Sequence, residues 1–440
     1  MGPLAENLET DAPWQPQWSR ATRVAFRFCF VYFGLYCLGT QIITTPVSLP
    51  TWEVPDPATF PPMRQIVFWV AAHLFHRPLP LVYDGSGSGD KTWDWTLLFC
   101  LAVFSLAATA VWSWLDRRRE NYVTLLKWFR LFIRLCLAGQ MFTYGMVKLI
   151  PLQMNYPPLW RLLEPFGTFS PMGVLWSSIG AATAYEMFAG SAELLGGILL
   201  IIPRTALLGA LVVVADMTQV FMLNMTYDVP VKGLSFHLLL MALFLAAPEL
   251  RRLSGFFFSD SSVPPSSQPP LFKTRKANRI AAAAQVAFGV YLLAINLYGD
   301  SVGWKTYGGG APKSVLYGIW DVNVMTIDGQ VRAPLLGDYD RWRRIVFDQP
   351  DYAMVERIDD SRAGFPAEVD ADKKTIRFTR KTAPEMKASF RFERTSPDTM
   401  TLDGDVNGHA TQMELKRMDE KTLRLLQKRF HWVQEYPLSQ

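Results

Sequence analysis

Apolar positions along this chain follow two different rhythms. Over roughly the first 300 residues they run almost unbroken for about 20 residues at a time. Helices that cross about 30 Å of hydrocarbon need such runs. Seven segments qualify, at about 23 to 44, 94 to 115, 124 to 150, 180 to 202, 205 to 225, 232 to 248 and 279 to 298. Beyond residue 300 apolar and polar positions alternate, which predicts half-buried strands: Tyr317 to Thr326, Trp342 to Phe347, Ala353 to Ile358, Thr375 to Thr379, Ala388 to Glu393, Thr399 to Asp403 and Gln412 to Lys416. The pairs Asp328-Gly329, Pro397-Asp398 and Asn407-Gly408 between strands are turn signals, so the strands should form an antiparallel meander. The expected fold class is an all-α transmembrane bundle of about seven spans with a C-terminal antiparallel β-barrel-like soluble domain. The aromatic run Arg429 to Tyr436 should close the barrel as its last strand, with docking to a partner or to the bilayer surface as the alternative.

The connecting segments divide the chain further. Between the first two spans, Met63 to Phe75 is apolar but too short to cross, and Trp69, His73 and His76 suit a helix lying along the membrane surface. His73 and His76 have no third ligand adjacent in sequence, so no metal site is assigned. Ser259 to Pro270 is rich in Ser and Pro and should be a disordered linker. The expected divisions are 1–121 (two spans with the amphipathic segment), 122–252 (a four-helix membrane core), 253–278 (linker), 279–299 (seventh span) and 300–440 (the β domain). Gly318-Ile-Trp320 is similar to the Gly-x-Trp opening of lipocalin-like barrels, which implies an indole plugging one end of the core. Whether such a barrel binds a ligand or is a packed interaction module stays open at this point.

Half of the residues are hydrophobic and 19% charged, with a formal net charge of +5. The positive surplus is local. Arg20, Arg23 and Arg27, then Arg117 to Arg119, then Arg204, then Arg251, Arg252, Lys273, Arg275, Lys276 and Arg279 fall on alternate sides of successive spans. Basic residues favour the cytoplasmic side, which predicts the N-terminus inside and the β domain outside. The same clustering explains the charge without a nucleic-acid partner. Some 20 polar residues precede the first apolar run, which is too long for a signal-peptide core and should remain as a helix. Cys29, Cys37, Cys100 and Cys136 lie in or beside spans with no Cys-x-x-Cys among them, so sequence suggests no dithiol pair. Trp93, Trp95, Trp112, Trp114 and Trp128 near span ends fit an interfacial aromatic belt.

Ionisable groups inside a bilayer cost several kcal/mol and must face partners or water, so they are the candidate chemistry. The third span carries Arg134, Gln140, Tyr144 and Lys148, the fourth Glu186 and Glu193, the fifth Asp216, and the sixth His237. At about 100° per residue Gln140, Tyr144 and Lys148 form one stripe, and Glu186 and Glu193 share a face two turns apart. Counting depth from the span ends predicts a polar pocket in which Lys148 pairs with Glu186, and Arg134 pairs with Glu193 or Asp216. Static ion pairs holding helices together are the alternative.

At these residues the chain resembles the DoxX family of membrane proteins. Gly145-Met-Val-Lys148, Ala192-Glu193-Leu-Leu-Gly196-Gly197, Arg204-Thr205 and Asn224 to Lys232 carry the likeness, over about residues 122 to 252. The resemblance implies a four-helix core in a bacterial inner membrane, and a name taken from a subunit of a thiosulfate:quinone oxidoreductase. A quinone is therefore the implied cofactor, with Lys148, Glu193 and His237 as its expected contacts, and redox or periplasmic proteins as possible partners beside the lipid bilayer. Two other readings stand beside this oxidoreductase-like one: a scaffold that anchors the outer β domain, and a small-molecule carrier.

Overall fold

The apolar runs fold as helices, and the alternating region as strands, in a computed structural model that describes residues 17–48, 53–259, 262–263, 270–380, 386–427 and 430–437. The helices are α1 (Arg20–Gly39), α2 (Gln41–Thr44), α3 (Met63–His73), α4 (Thr92–Leu115), α5 (Val123–Leu149), α6 (Leu159–Leu162), α7 (Pro171–Ala181), α8 (Thr183–Ile201), α9 (Ala206–Thr226), α10 (Lys232–Ala246), α11 (Leu250–Phe258) and α12 (Arg275–Thr306). Among the described residues six stretches are long and apolar enough to cross a membrane: α1, α4, α8, α9, the run from α10 through α11, and α12. Their outer faces carry exposed apolar side chains such as Phe104, Leu106, Phe188 and Leu208, which suits contact with lipid. The protein is a multi-pass membrane protein. The third expected span, α5, is 27 residues long but carries Lys127, Arg130, Arg134 and Lys148, and this polarity leaves it outside those six.

Two units make up the chain, one from Met1–Ile150 with Ala184–Val302, the other from Pro151–Thr183 with Gly303–Gln440. In the helical unit α1 packs along α4, and the buried Arg27 joins them, its guanidinium donating to the hydroxyls of Ser113 and Tyr122 and to the Asp116 carbonyl. A break at Thr40, which has extended backbone, separates α1 from the one-turn α2. The apolar segment at 63 to 75 is indeed helical as α3; it packs on α4 through Val67 and Ala71 while Trp69 and Ile66 stay exposed. Helix α11 occupies the start of the region expected to be a linker, and most of the Ser/Pro-rich stretch 259 to 270 lies outside the described residues.

In the second unit the strands are β1 (Gly318–Ile327), β2 (Gln330–Val331), β3 (Trp342–Gln349), β4 (Tyr352–Arg357), β5 (Arg362–Asp370), β6 (Thr375–Arg380), β7 (Met386–Ser396), β8 (Thr399–Val406) and β9 (His409–Arg417). All neighbours are antiparallel, and β9 pairs back onto β1, so eight strands close a barrel with β2 as an appended flap. Asp328-Gly329 and Asn407-Gly408 turn with positive φ at both residues, the geometry two-residue hairpins require. Trp320, Phe347, Phe365, Phe378 and Phe390 point inward and fill the interior with edge-on and stacked rings. The Trp320 indole donates to the Leu316 carbonyl at 2.8 Å, and Arg394 lies over its ring.

Two expectations for this unit need correction. Barrel closure falls to β9 against β1, not to the C-terminal aromatic run; among the described residues Phe430 to Tyr436 form no strand and are exposed, and Arg429 lies outside the described residues. Residues 151–183 group with the barrel, where sequence placed them between the third and fourth spans of the membrane core. Leu159 of α6 packs on Ile319, Val346 and Met354, side chains on the outer face of the barrel. The Asp348 carboxylate accepts from the Leu159 amide at 2.7 Å, and Arg362 donates to the Leu163 carbonyl. Beneath this contact Glu356, almost fully buried, accepts from Arg344 at 3.1 Å and Arg362 at 3.2 Å.

Candidate functional site

Glycines place the central pair. Gly145 on α5 and Gly190 on α8 face each other so closely that a Cβ on Gly190 would lie 2.6 Å from the Leu149 amide nitrogen and 2.7 Å from the Lys148 Cβ. Helices cross this tightly only where neither bears a side chain. The helices run antiparallel here, Gly145 lying against Leu194 and Gly190 against Leu149, so Lys148 and Glu193, each three residues after its glycine, flank the crossing from opposite directions and reach across it to each other. Their charged ends meet at 2.5 Å, with both side chains at least nine-tenths buried. The pairing corrects the depth-counted expectation of Lys148 with Glu186. Glu186 lies two turns earlier on α8 and is completely buried.

Asp216 on α9 joins this pair, within electrostatic reach of both Lys148 and Glu193. Gly196 and Gly209 bring α9 against α8, since a Cβ on Gly196 would meet Val213 at 2.8 Å and one on Gly209 would meet the Leu200 amide at 2.7 Å. Glu193 is the direct partner of the ammonium, and Asp216 is a more distant neighbour of the pair. Glu193 Oε2 and Asp216 Oδ2 are buried and have no hydrogen-bond partner among the described residues. Buried oxygens of this kind are uncommon and call for a donor or a proton.

From Lys148 the polar stripe continues along α5 toward the break after α1. The Lys148 ammonium lies 5.8 Å from the centre of the Tyr144 ring, and the Tyr144 hydroxyl accepts from Gln41 at 2.9 Å. Gln140 is fully buried, and its amide nitrogen lies 3.5 Å from the Gln41 and Ile42 carbonyls. Pro46, four residues after Ile42, has no N–H to return to that carbonyl, which is why a side-chain amide is positioned there. Gln41 and Pro46 belong to the site, and the only hint in sequence is a polar Gln-Ile-Ile-Thr-Thr-Pro ending to an apolar run.

His237 and Arg134 do not join the Lys148 pair directly. His237 Nδ1 faces the Gly233 carbonyl at 2.6 Å and so carries the proton, leaving Nε2 to accept from the Tyr32 hydroxyl at 2.7 Å. Its ring stacks on Tyr36 at 4.2 Å, and Tyr36 lies within electrostatic reach of Tyr144. Arg134, expected to pair with Glu193 or Asp216, instead donates to Gln285 of α12 and lines a separate cavity of about 970 Å³. Asp228, in the turn before α10, and Lys232, the first residue of α10, pair at 2.8 Å. The Lys232 and Gly233 amides are held by Asp90 at 2.8 and 2.9 Å. One further pairing escaped the sequence: the Cys37 and Cys136 thiols, 99 residues apart, are neighbours between α1 and α5.

No family model and no solved structure matches the chain. It is 31% identical over 133 residues to a protein of Bacillus subtilis (strain 168), uncharacterized protein YwoB, in an alignment covering 28% of this chain and 79% of that relative.

Proposed function

The chain belongs to the family of the Bacillus subtilis protein YwoB, whose name assigns no chemistry, and from the geometry of its own site we propose a membrane-embedded centre that binds a quinone-type headgroup and exchanges protons with it. The observation that carries this reading is the buried pair of Lys148 and Glu193 with the half-buried Asp216 near it, one carboxylate oxygen on each acid being buried and lacking a partner among the described residues. A quinone offers carbonyl acceptors and a quinol offers hydroxyl donors, so a headgroup at this trio could accept from the Lys148 ammonium and donate to Glu193 or Asp216. The quinone would supply the two-electron chemistry; the protein would supply an ammonium, two proton-accepting oxygens and exclusion of water. Electrons would come from a redox partner, in keeping with the DoxX-like resemblance around Lys148 and Glu193.

The alternation of basic clusters supports a bacterial inner-membrane location with the N-terminus cytoplasmic and the barrel outside, α5 serving as a seventh span. The protein extracted from membranes should carry quinone in its lipid fraction, and added short-chain quinone should raise its melting temperature. Glu193→Gln and Asp216→Asn, which keep shape and remove charge, should each weaken that response about tenfold, equal to about 1.4 kcal/mol. A well-folded protein whose melting temperature ignores quinone would remove this reading and leave the pair as a static strut between helices.

A further inference from the structure

The cavity that takes Arg134 away from the carboxylates has a chemistry of its own. It lies among the start of α5, the α8–α9 turn, the end of α10 and the start of α12. Fourteen residues of α5 separate Arg134 from Lys148, about 21 Å along the helix axis at about 1.5 Å per residue. Six basic residues line it: Lys127, Arg130, Arg134, Arg204, Arg252 and Arg279. Glu249 is the single acid among the lining residues, and it is engaged by Arg252 at 3.4 Å. An apolar wall of Leu126, Ile202, Leu207 and Val286 completes the lining.

Cations gathered at the end of a bundle repel one another unless something neutralises them, and Arg130 and Arg134 lie within electrostatic reach of each other. One terminal nitrogen of each is engaged, that of Arg130 on the Leu245 carbonyl at 2.7 Å and that of Arg134 on Gln285. The Nε–H of each is buried and has no acceptor among the described residues. Two guanidinium donors and a local excess of five positive charges therefore await an anion.

We propose that this cavity binds one anionic phospholipid, its phosphate held by Arg130 and Arg134 and its acyl chains lying on the Leu126, Ile202, Leu207 and Val286 wall. Free phosphate has the same charge chemistry, but about 970 Å³ lies near the upper end of small-molecule sites and far exceeds one ion, and the apolar wall would have no use for it. Basic pockets between spans are a recognised way to hold such headgroups. The site is independent of the quinone reading.

The test uses the full-length protein in neutral detergent, with dioleoyl-phosphatidylglycerol, dioleoyl-phosphatidylcholine and inorganic phosphate as separate probes. Melting temperature and lipid retention by native mass spectrometry are the readouts. Phosphatidylglycerol should raise the melting temperature by several degrees and stay bound, while phosphatidylcholine does neither. Arg130→Gln with Arg134→Gln should weaken phosphatidylglycerol binding at least tenfold and leave any phosphatidylcholine effect unchanged. Should that inner pair fail to fold, Arg204→Gln with Arg279→Gln, both exposed at the rim, should still weaken it about threefold. Equal responses to the two lipids would overturn the proposal, as would a full response to inorganic phosphate with none to phosphatidylglycerol.

Discussion

Asp348 shows how a single residue links the barrel to pH. Burial pushes its carboxyl above the ordinary value of 3.8, and the Leu159 amide it accepts from only partly offsets this. The folded state then holds this proton more tightly than the unfolded chain does, so stability falls as pH climbs from 3.8 through the raised value and is level beyond it. Asp338 behaves oppositely: Arg332, in a two-bond contact at 2.7 Å, holds its carboxyl below 3.8, and its contribution is lost as pH drops through that depressed value. Asp348→Asn keeps an acceptor for Leu159 and removes the charge. It should therefore slow hydrogen exchange in β3 to β5 at neutral pH, after correction for intrinsic rates, and abolish the further slowing that the native residue gives on mild acidification. An unchanged pH profile in this variant would show that another group controls it. Among the membrane residues, sequence periodicity placed Gln140, Tyr144 and Lys148 on one stripe, which the structure retains. It missed Gln41, Tyr32 and Tyr36, because their roles depend on which carbonyl or ring lies opposite them, not on their spacing.

At the scale of elements, the Gly145 and Gly190 crossing decides the register of the ion pair. Depth counting treats helices as parallel rods with level ends, and on that basis Glu186 lies opposite Lys148; the glycine contact slides the pairing by two turns to Glu193. Gly190→Ala should force α5 and α8 apart, lowering the melting temperature by the equivalent of about 1–3 kcal/mol of overpacking. Gly34→Ala on α1, where a Cβ meets nothing within 4 Å, should be neutral or slightly stabilising. Equal effects from the two substitutions would mean that the crossing is not tight. The middle spans were legible to within a few residues, since unbroken apolar length is a property of sequence alone, but α1 ends five residues before the expected limit and α12 runs eight beyond it. Strand β5 was not read from the sequence, because Gly364 and Pro366 interrupt its alternation. In the barrel Pro366 pairs with Tyr352 while the next amide, that of Ala367, reaches the Asp351 carbonyl, so the ladder continues around the proline.

For the molecule as a whole the testable quantity is topology. Asp84→Cys and Asp403→Cys should react with a membrane-impermeant maleimide in intact cells with a permeable outer envelope, whereas Arg118→Cys should react only after lysis. Labelling of Arg118→Cys alone in intact cells would reverse the positive-inside assignment, and labelling of all three would contradict it. The native cysteines lie within α1, α4 and α5, away from these loops. Sequence by itself determined what depends on neighbours along the chain: helices of spanning length, hairpins at Asp328-Gly329 and Asn407-Gly408, and the division into an apolar helical part and an alternating β part. The tertiary structure decided what depends on neighbours across space. It closed the barrel with β9, gathered residues 151–183 to the barrel unit, matched Lys148 with Glu193, and sent Arg134 to a cavity of its own. Periodicity specifies which face of an element is polar, while the depth and angle at which two elements cross are set by the close packing of side chains, and by the absence of side chains at Gly145 and Gly190.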